Sequence, residues 1–386
     1  MAVMHRREFI ALAVLSATGI VRAQKKGTML VYFGTYTNNT KSRGIYVSRL
    51  DTESGALSAP ELAAETPSPS FLAIHPAQSF LYAANEIGEF EGKKTGAVSA
   101  FSIDRQSGRL TGLNQQSSGG AGPAYITVDS KGRNALVANY GGGSVAVLPI
   151  GNDGRLRAAS SFIQHAGASV NPQRQKGPHA HSIYVSPNDQ IAYAVDLGLD
   201  KVFVYEFDPE KGLLKAGDDG FAALEPGSGP RHLALHPKRP YAYVINELTC
   251  KITAFNRHSS TSGLTAFQTV STLPGGEAVQ PGYSTAEVQV HPSGRFLYGS
   301  NRGHDSIVVF AIDEKTGRLT HVQHEPTQGS TPRNFGIDPS GSYLLAANQR
   351  SDSVVVFRID AQTGRLTSAG HRIEVAAPVC VKFVTA

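Results

Sequence analysis

The sequence predicts an all-β fold, a closed seven-bladed β-propeller. Three observations carry it: a glycine turn that returns seven times, a hairpin of fixed length that returns six times, and two chain ends that each hold part of a seventh copy. The glycine turn reads, in its clearest copies, Asp313-Glu-Lys-Thr-Gly317-Arg-Leu319 and Asp360-Ala-Gln-Thr-Gly364-Arg-Leu366. It recurs at Gly55, Gly108, Gly154, Gly212, Gly263, Gly317 and Gly364, at intervals of 46 to 58 residues. Glycine there supplies the positive φ that a tight connection between two strands needs.

The hairpin is the more regular element. A turn residue at His75, Asp129, Ser186, His236, His291 and Asp338 is followed ten residues later by Asn85, Asn139, Asp196, Asn246, Asn301 and Asn348. An apolar strand such as Phe296-Leu-Tyr-Gly-Ser300 lies between each pair, and another, such as His232-Leu-Ala-Leu235, lies ahead of it. A third strand begins six residues beyond five of the six Asn/Asp positions, at Val145, Val202, Ile252, Ile307 and Val354. In the first copy it starts at Val98, after a seven-residue insertion. The glycine turn then leads to a fourth strand. Each unit is a four-stranded meander of about fifty residues, the size of a propeller blade.

The chain ends complete the count. The N-terminal part opens on a second-strand sequence, Leu30-Val-Tyr-Phe-Gly-Thr35, and the C-terminus closes on Pro378-Val-Cys-Val-Lys-Phe383, which matches the first-strand pattern Pro332-Arg-Asn-Phe-Gly-Ile337. The seventh blade is therefore expected to take strands from both ends, which closes the ring and leaves no open sheet edge. Residues 28–386 form one propeller domain on this reading. The stretches 166–178 and 274–281 are read as loops between blades.

Composition agrees with one large repeat-built domain. The chain has 386 residues, 40% hydrophobic and 17% charged, ample for a core without disulfides or a structural metal. Two cysteines, Cys250 and Cys380, exclude a disulfide framework and a Cys-rich zinc site. The net charge of +5 is diffuse, with no run of five Lys/Arg, so no nucleic-acid interface is expected. A monomer is expected.

Residues 1–23 read as a twin-arginine-like export signal: Arg6-Arg7, an apolar stretch from Ala11 to Val21, then Val21-Arg22-Ala23. His5 and Ala11 depart from the usual residues of such signals. Cleavage after Ala23 would remove three Arg and one Glu, leave a charge of +3, and give a periplasmic protein with no membrane attachment. If the signal is not used, the protein is cytoplasmic.

Blade topology sorts the polar residues. Residues just before first strands and just after second strands share one face around the channel, and the turns between those strands lie on the other. His75, His236 and His291, each followed by Pro, fall in opposite-face turns and are read as turn residues. The shared face collects His179, His181, Arg231, His232, Glu287, Arg333 and Asn334 before first strands, with Glu86, Tyr140, Glu247, Arg302 and Gln349 after second strands. So many like charges around one channel mouth are costly without an anionic ligand.

Four segments carry a resemblance: Gly229-Pro-Arg-His232, Ile245-Asn-Glu247, Phe296-Leu-Tyr-Gly-Ser-Asn-Arg-Gly-His-Asp-Ser306 and Thr331-Pro-Arg-Asn-Phe-Gly-Ile-Asp-Pro339. Over essentially the whole mature chain the sequence resembles the propeller-type lactonase family, which includes bacterial propeller-type 6-phosphogluconolactonases and fungal carboxy-muconate lactonizing enzymes. The resemblance implies a seven-bladed propeller and a site of one His, two Arg and one Glu. The first Arg and the Glu fall on Arg231 and Glu247, the second Arg on Arg302, and the His within His179-Ala-His181, where His181 is favoured and His179 stays open. The export signal is the departure from the family, since it separates the protein from a cytoplasmic phosphorylated sugar.

Hydrolysis of a small anionic or sugar lactone needs an activated water and a stabilised oxyanion. His181 or Glu247 can serve as the base if partly buried and titrating near neutrality. Arg231 and Arg302 can hold the developing oxyanion. His179, His232, Arg333 and Asn334 are candidates for gripping a phosphate, carboxylate or sugar hydroxyl. No Gly-x-Ser-x-Gly elbow is present, and three arginines argue against a metal, so neither a nucleophilic serine nor a cofactor is expected. Muconate cyclisation and a non-catalytic binding disc are the alternative readings.

Overall fold

The computed structural model describes residues 27–258 and 263–385; the export signal expected at residues 1–23 lies outside them. Seven four-stranded antiparallel sheets surround one channel. The innermost strands are, in blade order, Pro69–Ile74, Pro123–Val128, Ala180–Val185, Pro230–Leu235, Ser284–Val290, Pro332–Ile337 and Pro378–Thr385. Within each sheet the strands follow one another outward, as in blade one, where Phe80–Asn85, Ala97–Ile103 and Leu110–Ser117 come after Pro69–Ile74.

Blade seven joins the two ends, as the sequence predicts. Pro378–Thr385 pairs with Thr28–Thr35, with Met29 opposite Thr385 and Thr35 opposite Pro378. The last strand also packs between the innermost strands of blades six and one, which closes the ring.

The repeated residues hold neighbouring blades together. In six of the seven turns the glycine has a φ between +64° and +81°, the left-handed region that a Cβ disfavours. At four of these turns a buried tyrosine from the second strand of the preceding blade donates to the glycine carbonyl: Tyr32 to Gly108 at 3.0 Å, Tyr82 to Gly154 at 3.0 Å, Tyr243 to Gly317 at 2.9 Å and Tyr298 to Gly364 at 2.8 Å. In three blades the asparagine ending the second strand works at the other edge. Asn139, Asn301 and Asn348 donate Nδ2–H to Ser118, Thr272 and Thr327 carbonyls, where the preceding blade's outer strand has just ended. Asp196 cannot donate. The residue it meets is His165, whose Nδ1–H donates to Asp196 Oδ2 at 2.6 Å.

Between sheets the core is apolar and falls into five clusters around the ring. Every residue of Tyr343–Asn348 is buried, as is nearly all of Ser353–Ile359 beside it. Each fully buried Leu or Val of this kind contributes about 1.5–3 kcal/mol over an exposed one.

Candidate active site

One irregularity, repeated around the ring, builds the site. Each first strand carries a β-bulge close to its start, and the residue left out of the ladder is Ser70, Ala124, His181, Arg231 and Arg333 in blades one, two, three, four and six. In blade seven it is Val379, and in blade five the irregularity takes in Ala286 and Glu287. A bulged residue leaves the in–out alternation and its side chain is re-aimed. Here Ser70, Ala124, His181, Arg231, Arg333 and Val379 are turned toward the channel, where they line a cavity of about 250 Å³ at the mouth and a narrow extension below it. The residues that follow second strands form the outer wall, among them Glu86, Tyr140, Glu247 and Arg302.

Glu247 is the hub. Its Oε2 lies 3.1 Å from Arg231 Nε and 2.9 Å from Arg302 Nη2, and its Oε1 accepts from Arg174 Nη2 at 2.6 Å. Burial favours the neutral acid, but Arg302, Arg231 and Arg174 outweigh it and hold the carboxyl at about 2. Arg231 itself is 3% exposed. Burial, with Arg333 and Arg302 close by, pulls its guanidinium down to about 9, so it is still a cation at neutral pH. It donates Nη1–H to the Ala286 carbonyl at 2.8 Å. Arg302 is anchored likewise on the Thr285 carbonyl at 2.6 Å.

The two histidines of blade three separate. His181 is 4% exposed and lines the cavity, and its Nδ1 has no hydrogen-bond partner. Burial, then the positive charge of Arg231, pushes its pKa well below 6.5, so the imidazole is neutral at pH 7. His179 stands aside: its Nδ1–H donates to the Tyr140 carbonyl at 3.0 Å and its ring stacks on Tyr140 at 4.6 Å.

The other predicted residues are placed as follows. Arg333 lies in the wall, donating Nη2–H to Tyr36 Oη at 2.8 Å, and Tyr36 in turn donates to Glu86 Oε2 at 2.8 Å. His232 sits one level down, 3.2 Å from Glu287 Oε2 and edge-on to Tyr125. Burial moves its pKa down to about 4. Asn334 is outside the cavity lining: its Nδ2–H donates to Glu287 and its Oδ1 accepts from the Val381 N–H at 2.9 Å, so both ends of the amide serve the ring. The geometry also corrects one expectation about Glu247. A carboxyl at about 2 does not titrate near neutrality.

The histidines of the opposite face do turn chemistry. His236 Nδ1 accepts the N–H groups of Lys238 and Arg239, and its Nε2–H donates to the Gly294 carbonyl of the next blade at 2.9 Å. His75 and His291 make the same inter-blade bond to Gly132 and Gly341. Among the described residues no cluster of His, Cys, Asp and Glu has the arrangement of a metal site.

Two members of the site, Arg174 and Tyr36, come from outside the sequence motifs. Arg174 belongs to segment 166–178, which has no repeat register, and Tyr36 follows the second strand of the split blade.

Comparison with known proteins gives one consistent result. The model of a lactonase family described as a seven-bladed β-propeller matches residues 30–383. A 6-phosphogluconolactonase of Bacillus subtilis (strain 168) is 39% identical over 353 residues, covering 92% of this chain and 97% of that protein. A 6-phosphogluconolactonase of Formosa agariphila is 34% identical over 316 residues, covering 80% and 86%. Among solved structures, a periplasmic gluconolactonase of Pseudomonas aeruginosa matches with a TM-score of 0.87 at 36% identity, covering 93% of this chain and 99% of that one.

Proposed function

The chain belongs to the lactonase family of seven-bladed β-propellers and is a lactone-hydrolysing carboxylic-ester hydrolase, and on that premise we propose that it opens a sugar lactone in the cavity bounded by His181, Arg302 and Glu247. The observation that carries this reading is the pairing of a neutral imidazole, its Nδ1 without a hydrogen-bond partner, with a guanidinium cluster in one cavity. Water attacks the lactone carbonyl carbon while His181 takes a proton from it. The carbonyl π electrons move to oxygen, where Arg302 and Arg231 meet the charge. Collapse restores the C=O bond and breaks the bond to the ring oxygen. The imidazolium returns its proton to that oxygen, leaving a hydroxy acid.

Glu247 is too weak a base for the first step, and its work is to hold three guanidiniums in register. The cations Arg174, Arg302 and Arg333 exceed the carboxylates Glu86 and Glu247 in the wall. That balance suits a lactone bearing a phosphate or carboxylate, while Glu86 and Tyr36 suit sugar hydroxyls. The relatives point to gluconolactone and its 6-phosphate as substrates, and the leader sequence to a periplasmic site of action.

The test is initial-rate turnover of gluconolactone, 6-phosphogluconolactone and a muconolactone by purified protein against a buffer blank, with His181→Asn alongside. Hydrolysis of a sugar lactone well above the blank, lost in His181→Asn, is expected. No lactone turned over, or full activity without the imidazole, would refute it.

A further inference from the structure

The entrance of each first strand is pinned before the bulge that delivers a side chain to the channel. Three blades do this with an aspartate from the preceding blade. Asp200 Oδ1 accepts the N–H of Gly229 at 2.7 Å, Asp305 Oδ1 that of Thr331 at 2.7 Å, and Asp352 Oδ1 that of Ala377 at 2.8 Å. Each aspartate is in the left-handed region, with φ of 53°, 54° and 47°. Two residues beyond each pinned N–H stands the bulged residue: Arg231, Arg333 or Val379.

Asp200 does more than its counterparts. It is 3% exposed, and its Oδ2 accepts two further hydrogen bonds, from Gly227 N–H at 2.7 Å and from Ser169 Oγ–H at 2.5 Å. Ser169 opens the turn that presents Arg174. Its N–H donates to the Gln175 carbonyl, and Asn171 Oδ1 accepts the Arg174 N–H, both at 3.0 Å. The two segments gripped by one carboxylate therefore carry the two arginines that reach opposite oxygens of Glu247. Among the described residues no cation pairs with Asp200. An asparagine could not replace it, because three donors converge and an amide offers one acceptor oxygen and an N–H₂ group that would oppose them.

We propose that Asp200 is a positioning residue for lactone hydrolysis, locking the Arg174 segment to the Arg231 strand so that both guanidiniums meet at Glu247. This rests on the lactonase site described above. Its effect is on the site because small displacements of catalytic groups are costly, on the order of 100-fold for a 1 Å shift. Asp352 is the matched control: it makes the same tether, but the strand it pins delivers Val379, which carries no charge.

The test uses the full-length chain, gluconolactone as probe, and a temperature at which circular dichroism finds every variant folded. Asp200→Asn should lower kcat/KM by about 10- to 100-fold, and Asp352→Asn should change it only slightly. Ser169→Ala, which leaves the carboxylate in place, keeps the question open to test if Asp200→Asn does not fold. It should raise KM several-fold in the parent and have no effect in an Arg174→Ala background, because it acts through Arg174. Asp200→Asn indistinguishable from Asp352→Asn, or Ser169→Ala and Arg174→Ala effects that simply add, would overturn the inference while an active parent upholds the lactonase site. A parent that hydrolyses no lactone would overturn the site reading itself.

Discussion

Arg174 Nη2 and Glu247 Oε1 meet at 2.6 Å across the channel mouth, though they lie 73 residues apart in the chain. Of the other two guanidinium side chains on Glu247, Arg231 is buried at 3% exposure and Arg302 largely enclosed at 12%, whereas Arg174 is 41% exposed. Glu247 therefore has two enclosed cations on one side and a third, Arg174, facing the solvent through which substrate arrives. An anionic group on the substrate competes with Glu247 for Arg174 without disturbing the enclosed pair.

Removing the hub charge should destabilise the ring. Glu247→Gln leaves Arg231 and Arg302 buried without their carboxylate, a change that costs roughly 3–5 kcal/mol for a buried pair. The melting temperature should fall, and inorganic phosphate should raise it more in Glu247→Gln than in the parent, because phosphate replaces the lost anion. Equal melting temperatures with and without the carboxylate would contradict the hub role.

The acid limb of activity should lie unusually low. Catalysis needs neutral His181, and burial, together with Arg231, His232 and Arg333, keeps its folded pKa well below 6.5. Hence kcat/KM should hold as pH falls through 6.5 and drop only well below it. Removal of the nearby cation in Arg231→Ala raises the imidazole pKa, so the residual activity of that variant should fail at higher pH than the parent. A limb at the ordinary histidine value, unmoved by the substitution, would separate His181 from the rate.

Stability should follow the same direction. Glu247 at about 2 and His232 at about 4 both bind protons less readily in the folded state than in the unfolded chain. Stability is then full above about pH 6.5 and declines as pH falls, through histidine protonation first and the carboxylate later. A melting temperature flat from pH 7 to pH 4 would contradict the placement of His232, and one flat from there down to about pH 2 would contradict that of Glu247.

How much of this was legible in the sequence depends on the repeat. His181, Arg231 and Arg333 occupy the same position in their units, so register alone put them on one face. The bulge that turns them inward leaves no separate mark in the sequence: the same place holds Ser70, Ala124 and Val379, which share no chemistry. Asn334 has the opposite history. Its motif suggested substrate contact, but the ladder resumes at Asn334, opposite Ala347, and its amide bonds to Glu287 and Val381. Arg174 was illegible because its position depends on Asn171, Gln175 and Ser169 closing an irregular turn. Asp196 was readable as a variant of the asparagine position, but its partner His165 becomes apparent only in three dimensions.

Closure of the ring predicts a global effect of a terminal deletion. Residues 378–385 supply the innermost strand of blade seven, with Cys380, Val381 and Val384 buried, and Val381 N–H held by Asn334. Deleting 378–386 should lower the melting temperature and hydrogen-exchange protection in every blade. Protection lost only in Thr28–Thr35 would mean that the blades are stable without closure.

Export is checked by fractionation. A tagged chain should be found outside the cytoplasm with Gln24 at its N-terminus, and Arg6→Lys/Arg7→Lys should retain it inside with residues 1–23 attached. Cytoplasmic parent protein that keeps its N-terminal segment would restore an intracellular sugar phosphate as the natural substrate.

The sharpest separation of enzyme from scaffold lies within six residues. Arg231 is the bulged residue of its strand and faces the channel, while His236 ends the same strand on the far face and bonds to Gly294. If Arg231 meets the oxyanion, Arg231→Ala should lower kcat by about 100-fold, as loss of one such donor does. KM should move less, since the interaction strengthens as charge develops. His236→Ala removes an inter-blade bond and should cost stability, yet kcat per folded molecule should stay within a few-fold of the parent. Equal loss of kcat in both would mean that the two faces have been exchanged. Unchanged turnover in Arg231→Ala would remove Arg231 from the chemistry and leave Arg302 as the cation to test next.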